Sequence, residues 1–437
     1  MSIPTLQGLQ TALSGLLADQ QAMDITGHNI ANANTEGYSR ERADLSPNPP
    51  IEIPALSNLT GQGAQLGTGV GVADYERIRN AYLDAQYRTQ NSALSGASTQ
   101  AEELGQAQAA FNEPSSSGLA TAMSAFWTAW NSLASSPTSE AAKEGVVAAG
   151  TQLASDFKQL SAQLSTISTQ AGEQYASRTG PHGEVQGYAT EIAQLNGQIR
   201  LAEEAGQQPN DMLDRRDLLI DKLSSLAQVT VTKQADGTDT ITFGNAAKPL
   251  VEGTNVNWPQ ALTSAAGGQL GALLGLTEPG GALTTYQSAL DGVAGSLAAS
   301  VNALHTSTPF FSGTTAATIA VAVTPAQVQT SSTGAPGGND VALAIAALRG
   351  GAADQAYAGL VERVGSDVRS AQDEQANVQT TVTAISNQRQ SVSGVSLDEE
   401  MTNLMSFQRA YQASARTLTA MDTMLETLIE HTGVVGL

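Results

Sequence analysis

Both ends of this chain carry apolar residues at alternating intervals of three and four, a spacing that demands helices with partners laid along them. At the N-terminal end the row is Leu6, Leu9, Leu13, Leu16, Gln20, Met23, Gly27 and Ile30. Pro4 stands where a first helical turn tolerates it, and Asn29, Asn32, Asn34 and Gly37 predict the helix end. Gly8, Gly15 and Gly27 fall inside the predicted helix. Each costs about 1 kcal/mol relative to Ala, about 3 kcal/mol together, so this helix is not expected to stand alone.

The C-terminal end offers a partner. Ser396-Leu397-Asp398-Glu399 reads as a capping box, with Ser396 at the N-cap and Glu399 reaching back. The row then runs through Leu397, Met401, Leu404, Gln408, Tyr411, Ala415, Leu418, Asp422, Leu425 and Ile429. A second row runs beside it through Phe407, Ser414, Met421 and Leu428. Two adjacent rows make an apolar band wider than one partner helix covers. Periodicity by itself also fits the core of an ordinary bundle, but the glycines and the double row favour an assembly that buries the band. The expected assembly interface is Leu6, Leu9, Leu13, Leu16, Met23 and Ile30 with Leu397, Met401, Leu404, Phe407, Tyr411, Leu418, Met421, Leu425 and Ile429.

Between the ends, helical periodicity recurs over Leu83–Phe111, Leu119–Leu133, Leu153–Ala171, Val185–Ile199, Met212–Leu226 and Leu283–Leu304. It returns over the long stretch Val361–Val392, which predicts an elongated coiled-coil-like rod whose chain goes out and comes back. Val229-Thr230-Val231-Thr232 and Thr240-Ile241-Thr242-Phe243 flank Asp236-Gly237, a hairpin signal. Ile319, Val321 and Val323 alternate as a further strand, and 327–339 reads as a linker. The expected fold is therefore mainly α, with a helical rod formed by both chain ends and a small distal β-containing domain. At about 150 residues per domain, 437 residues allow roughly three. These are a terminal helical core of 1–45 with 395–437, a helical body of 46–227 with 277–306 and 338–394, and a distal β-containing region of 228–276 with 307–337.

Composition narrows the function. A net charge of −21 repels phosphate backbones and anionic lipid, so neither a nucleic-acid nor a membrane partner is expected. With aromatics at 4%, cores must be built from aliphatic residues, which suits helix-on-helix packing. The absence of cysteine excludes disulfides, thiolate metal sites and thiol catalysis. The first basic residue is Arg40 and no compact apolar run precedes it, so a Sec signal peptide is not expected. No stretch approaches about 20 apolar residues, the length of a membrane span.

Chemistry-bearing constellations are sparse. His28, His182, His305 and His431 show no metal-ligand spacing. Gly61, Gly63, Gly67, Gly69 and Gly71 lack the ending and the strand-to-helix setting of a phosphate loop, and read as a flexible loop. Asp214-Arg215-Arg216-Asp217 reads as a solvated helix face with local ion pairs, and no Ser lies in a GxSxG elbow. No enzyme, cofactor or metal is expected.

The stretch Ala12-Leu13-Ser14-Gly15-Leu16 through Gly27-His28-Asn29-Ile30-Ala31-Asn32 to Gly37-Tyr38-Ser39-Arg40 resembles the N-terminal signature of flagellar axial proteins. Val395–Glu400 followed by Gln408-Arg409-Ala410-Tyr411 resembles their other end. The Tyr-Ser-Arg ending, Pro209–Asp217, Leu290-Asp291, Val301-Asn302 and His305 are similar to the hook-associated protein 1 family in particular. Glu36 departs from the family's usual Pro, and the central region is shorter than in many members. The resemblance implies type III export without a cleaved leader and a ring of like subunits at the hook–filament junction. It implies hook protein below, hook-associated protein 3 above, and a cytoplasmic export chaperone on the C-terminal helix. Terminal helices would line the tubular core. A rod or hook subunit, or a soluble coiled-coil adaptor, is the alternative.

Overall fold

A computed structural model describes residues 4–53 and 64–432 of the chain; Gly61, Gly63 and the side chain of Leu6 lie outside the described residues. Helix α1 (Pro4–Asn32) opens the chain and ends among the asparagines as expected. Four strands follow where no strand was expected: β1 (Glu41–Pro47), β2 (Ile51–Ile53), β3 (Ala64–Leu66) and β4 (Val70–Arg77). β1 pairs antiparallel with β4 and β2 with β3, a ribbon rather than the flexible loop read from the glycines. Its strands escape detection because the pairs Arg42–Glu76 and Asp44–Asp74 are polar, a bulge breaks the alternation at Asp44–Leu45, and Pro47 ends β1.

The body begins with α2 (Ala81–Phe111), capped by Asn80, whose side chain accepts from the Tyr82 and Leu83 N–H groups. Then come α3 (Leu119–Ser135), α4 (Glu140–Thr179), α5 (Glu184–Glu204) and α6 (Asn210–Leu226), all at the predicted places. The predicted hairpin forms as β5 (Val229–Lys233) and β6 (Asp239–Phe243), turning at Gly237 with φ of +78°. Val229 opposes Phe243 and Val231 opposes Ile241, so one face carries the apolar side chains. Short strands β7 (Val251–Glu252) and β8 (Asn255–Val256) extend this sheet in the order β5-β6-β7-β8.

Helices α7 (Gly268–Thr277) and α8 (Ala282–Leu304) lead into β9 (Phe311–Ser312) and β10 (Ala320–Val321). The strand expected over Ile319–Val323 is thus only two residues long, with Ile319 and Val323 buried on either side of it. After α9 (Asp340–Ala346), the 42-residue α10 (Ala352–Ser393) returns along α2 in the opposite direction. Phe111 meets Tyr357, Ser98 meets Gln375, and Asp84 meets Arg389. Helix α11 (Leu397–Thr432) then lies against α1.

Apolar side chains gather in two clusters. The larger joins the far half of α2 to α3, α4, α8 and α10, and holds Phe126, Trp130, Phe310 and Phe311 with ring centroids within 6.3 Å along the group. The smaller packs α5 and α6 on the four-stranded sheet. Segment 307–337 joins the larger cluster through Phe310, Ile319 and Val328, whereas β5–β8 belong to the smaller. Phe157 of α4 is fully buried in the larger cluster. Phe157→Ala should lower unfolding free energy by about 3–5 kcal/mol, read as a drop in the urea midpoint.

Candidate assembly interface and its charged base

The terminal pair runs antiparallel in heptad register. A Cβ placed on Gly8 would sit 2.9 Å from Met421 Cε, and one on Gly15 would sit 3.3 Å from Ser414 Oγ. Asn29 reaches Glu400, so steps of seven and fourteen along α1 match equal steps back along α11. The buried residues of α1 are mostly small: Ala12, Ala18, Ala22 and Thr26, along with Gln7 and Asn29. Two of the three glycines read as a bare penalty are therefore close-approach points, and only Gly27 faces open space. Absence of a Cβ lets the partner's long side chains lie against the α1 backbone.

Helix α11 answers with a half-buried stripe of Leu404, Phe407, Tyr411, Ser414, Leu418, Met421 and Leu425, which alternates between the two rows read from sequence. The expected interface residues therefore divide. Leu9, Leu16, Met23 and Ile30 are half-buried on the flanks of α1, while Leu13 is 45% exposed. Leu397, Met401 and Ile429 stand 50%, 49% and 72% exposed. Leu17, Met405 and Met424 are also open and were absent from the expectation. Among the described residues of α11, no apolar side chain is fully buried, and Glu400 is the one residue that is.

Asn29 does more than help end a helix. Its Oδ1 accepts from the Glu41 N–H at 2.9 Å and from the Tyr38 hydroxyl at 2.8 Å. Its Nδ2 donates to the Glu41 carbonyl at 2.8 Å and to Glu400 at 3.1 Å. Arg40 holds Glu400 at 2.7 Å and Glu399 at 3.0 Å, and its N–H donates to the Ser393 carbonyl at 2.9 Å. The Glu399 carboxylate is thus engaged by Arg40 instead of closing a capping box, and only the 3.5 Å contact from its N–H to Ser396 Oγ remains of that motif. These bonds fasten the end of α1, the start of β1 and the α10–α11 turn together.

Beneath them lies a charge network that replaces the expected solvated face of Asp214–Asp217. Asp214, Asp217 and Asp221 share one face of α6, which packs against α2. Arg77 pairs with Asp214 and, at 2.8 Å, with Asp217; Arg79 reaches Asp217 and Asp84 at 2.9 Å each. Arg88 holds Asp217 at 3.0 Å and Asp221 at 2.6 Å. Arg389, arriving from α10, pairs with Asp84 and Asp221 at 2.9 and 2.8 Å and lies over the Tyr87 ring. Four arginines thereby meet four aspartates. Ser39 joins the α1 end to this network, donating to Asp214 from its N–H at 2.8 Å and its hydroxyl at 2.7 Å. Arg216 turns the other way, buried against Asp239 at 3.0 Å, and only Arg215 is a surface pair, with Glu191. Burial pushes the Asp217 carboxyl up, but Arg79, Arg88 and Arg77 outweigh it and hold it far below the usual range. For Arg216 and Asp239 burial wins: the guanidinium is pushed down and the carboxyl up.

The ends of the chain match families shared by axial components of the bacterial flagellum. Residues 9–38 match the family described as "Flagella basal body rod protein". Residues 386–430 match "Flagellar basal body rod FlgEFG protein C-terminal". With the antiparallel terminal pair, these matches define the class: a structural subunit of the flagellar axis. Residues 104–264 match "Flagellar hook-associated protein FlgK helical domain". Flagellar hook-associated protein 1 of Bacillus subtilis is 30% identical over 99% of each chain. The chain belongs to the flagellar hook-associated protein 1 family. The namesake protein of Salmonella typhimurium is 31% identical over 58% of this chain and 44% of its own. A solved structure of the flagellar hook junction protein FlgK from Burkholderia pseudomallei aligns with a TM-score of 0.44, at 26% identity over 51% of this chain and 43% of that one.

Asp217→Asn removes the charge that three arginines share and should cost about 3–5 kcal/mol at neutral pH. Because the folded carboxyl is depressed, its contribution is complete above the ordinary Asp pKa of about 3.9 and fades as pH falls below it. Denaturant titrations at stepped pH should show stability falling with acid in the parent and less steeply in the variant.

Proposed function

We propose that this chain forms the ring joining hook to filament, polymerising through its paired terminal helices. The observation that carries the proposal is α11: a helix over Leu397–Thr432 with no fully buried apolar side chain among its described residues. Leu13, Leu17, Met401, Met405, Met424 and Ile429 stay open after the two ends have paired. Neighbouring copies would cover them at about 25 cal/mol per Å² of apolar area. The proposed assembly unit is 1–45 with 395–437, and the remaining segments form the body and the outer region. The role is architectural, with no catalytic step.

Family likeness extends the proposal to hook protein below, hook-associated protein 3 above, and a cytoplasmic chaperone on α11 before type III export. The small-residue seam buries little apolar area, so before assembly it offsets little chain entropy, and the ends are proposed to be largely disordered in the free monomer. Polymerisation is then coupled to folding, which delays assembly until subunits meet.

Hydrogen exchange on purified monomer should therefore show weak protection over residues 6–30 and 397–429, with a protected body; strong protection at the ends would count against coupled ordering. Deleting residues 401–437 should abolish incorporation and chaperone binding while leaving the body's thermal transition in place. Electron microscopy of a deletion strain should show hooks without filaments. Missing hooks would point instead to a rod or hook subunit.

A further inference from the structure

Where α1, β1 and α6 meet, one ligand atom from each of His28, Glu41 and Asp211 lies within 4.8 Å of the other two. We propose that these three side chains form a site for a divalent cation of the zinc class. Glu41 is the unusual member. Its side chain is only 5% exposed, yet among the described residues no Arg or Lys is within ion-pair reach of it. The buried carboxylates around it do have such partners: Glu400 has Arg40, and Asp214 has Arg77 and Arg79. The nearest group of opposite charge is His28, whose Nδ1 stands 3.8 Å away and is charged only when protonated. Burial raises the proton affinity of Glu41, and Asp211 and Asp214 add to that, which marks a place where positive charge is wanted.

The ligand set and its supports fit a metal. Ligands at about 2.0–2.1 Å in tetrahedral array stand about 3.3–3.5 Å apart, so the 3.8 Å between His28 Nδ1 and Glu41 closes with a shift of a few tenths, and the exposed Asp211, within 4.8 Å of both, has the larger distance to swing. One imidazole nitrogen and two carboxylates suit zinc better than calcium or magnesium, which prefer all-oxygen shells. Two carboxylates also neutralise a divalent ion. Asn29 clamps the Glu41 backbone by both its N–H and its carbonyl, which fixes the strand that carries the carboxylate. Tyr38 sets its ring edge-on to His28 at 5.5 Å, and at 3.4 Å its hydroxyl is too distant to occupy Nδ1 firmly. His28 is 39% exposed and Asp211 lies at the surface, which leaves a way in for the ion. A bound ion would pin the last turn of α1 to the first turn of α6, tying the terminal pair to the body.

The test uses the full chain stripped with chelator. Zinc titration calorimetry should give one ion per chain at neutral pH, and cobalt(II) should develop visible bands of tetrahedral intensity. His28→Ala and Asp211→Ala should each weaken zinc by about tenfold or more. Asp211 is exposed, so its variant should keep the parent's circular dichroism. Zinc added to the free chain should raise amide protection over residues 28–41 in the parent and not in Asp211→Ala. Exchange without metal tests the assembly reading separately. Absence of zinc heat and of cobalt bands overturns the site. So does equal affinity in parent and variants, which would mean adventitious binding elsewhere on an acidic surface.

Discussion

Close approach of α11 to α1 governs this molecule. Where α1 presents Gly8 and Gly15, Met421 and Ser414 of α11 settle against its backbone, and Ala12, Ala18 and Ala22 are buried along the same helix. That packing spends the small residues of α1 inward and leaves Leu13 and Leu17 outward. A helix pair built in this way gains modest apolar burial from itself and keeps its larger side chains for neighbours. The pattern is the reverse of a leucine-lined seam, in which the largest side chains interdigitate and little is left outside.

Such a pair needs an anchor, and polar chemistry supplies it. Asn29 satisfies four hydrogen bonds that join α1, β1 and α11, so it is costly to replace once buried. Arg40 ties the α10–α11 turn to the same place. Below, four arginines and four aspartates from β4, the β4–α2 connection, α2, α6 and α10 offset one another's desolvation. Charge pairs are directional and few alternatives satisfy them all, so they set where the terminal pair leaves the body. Apolar packing between helices sets such an angle less strictly.

Much of this was legible. Long helices announce themselves by periodicity, and the β5–β6 hairpin by Asp236-Gly237 between alternating runs. The ribbon β1–β4 was not, because a strand pair that faces mostly water has no apolar alternation to read. Which helices cover a segment was not legible either, since β character says nothing about it: 307–337 packs in the larger cluster and β5–β8 in the smaller. Asp214 to Asp217 was read as a wet face because the arginines that bury it lie 129 to 140 residues away in sequence. A hint was available: Asp214, Asp217 and Asp221 repeat at helical spacing, a pattern that serves a facing row of cations.

The sequence by itself determined which stretches are helical, that the two ends require partners, and that the chain belongs with flagellar axial subunits. These follow from local spacing and from motifs that survive without contacts. Only the tertiary structure decided which face of each terminal helix is spent on the other. Sequence offers two adjacent rows on α11, and the stripe laid on α1 takes members of both in turn, Leu404, Phe407, Tyr411, Ser414, Leu418, Met421 and Leu425, a selection set by the side chains of α1 that approach from the opposite end of the chain. It also decided that His28, Glu41 and Asp211 share one corner, because ligands on three elements have no spacing to reveal them.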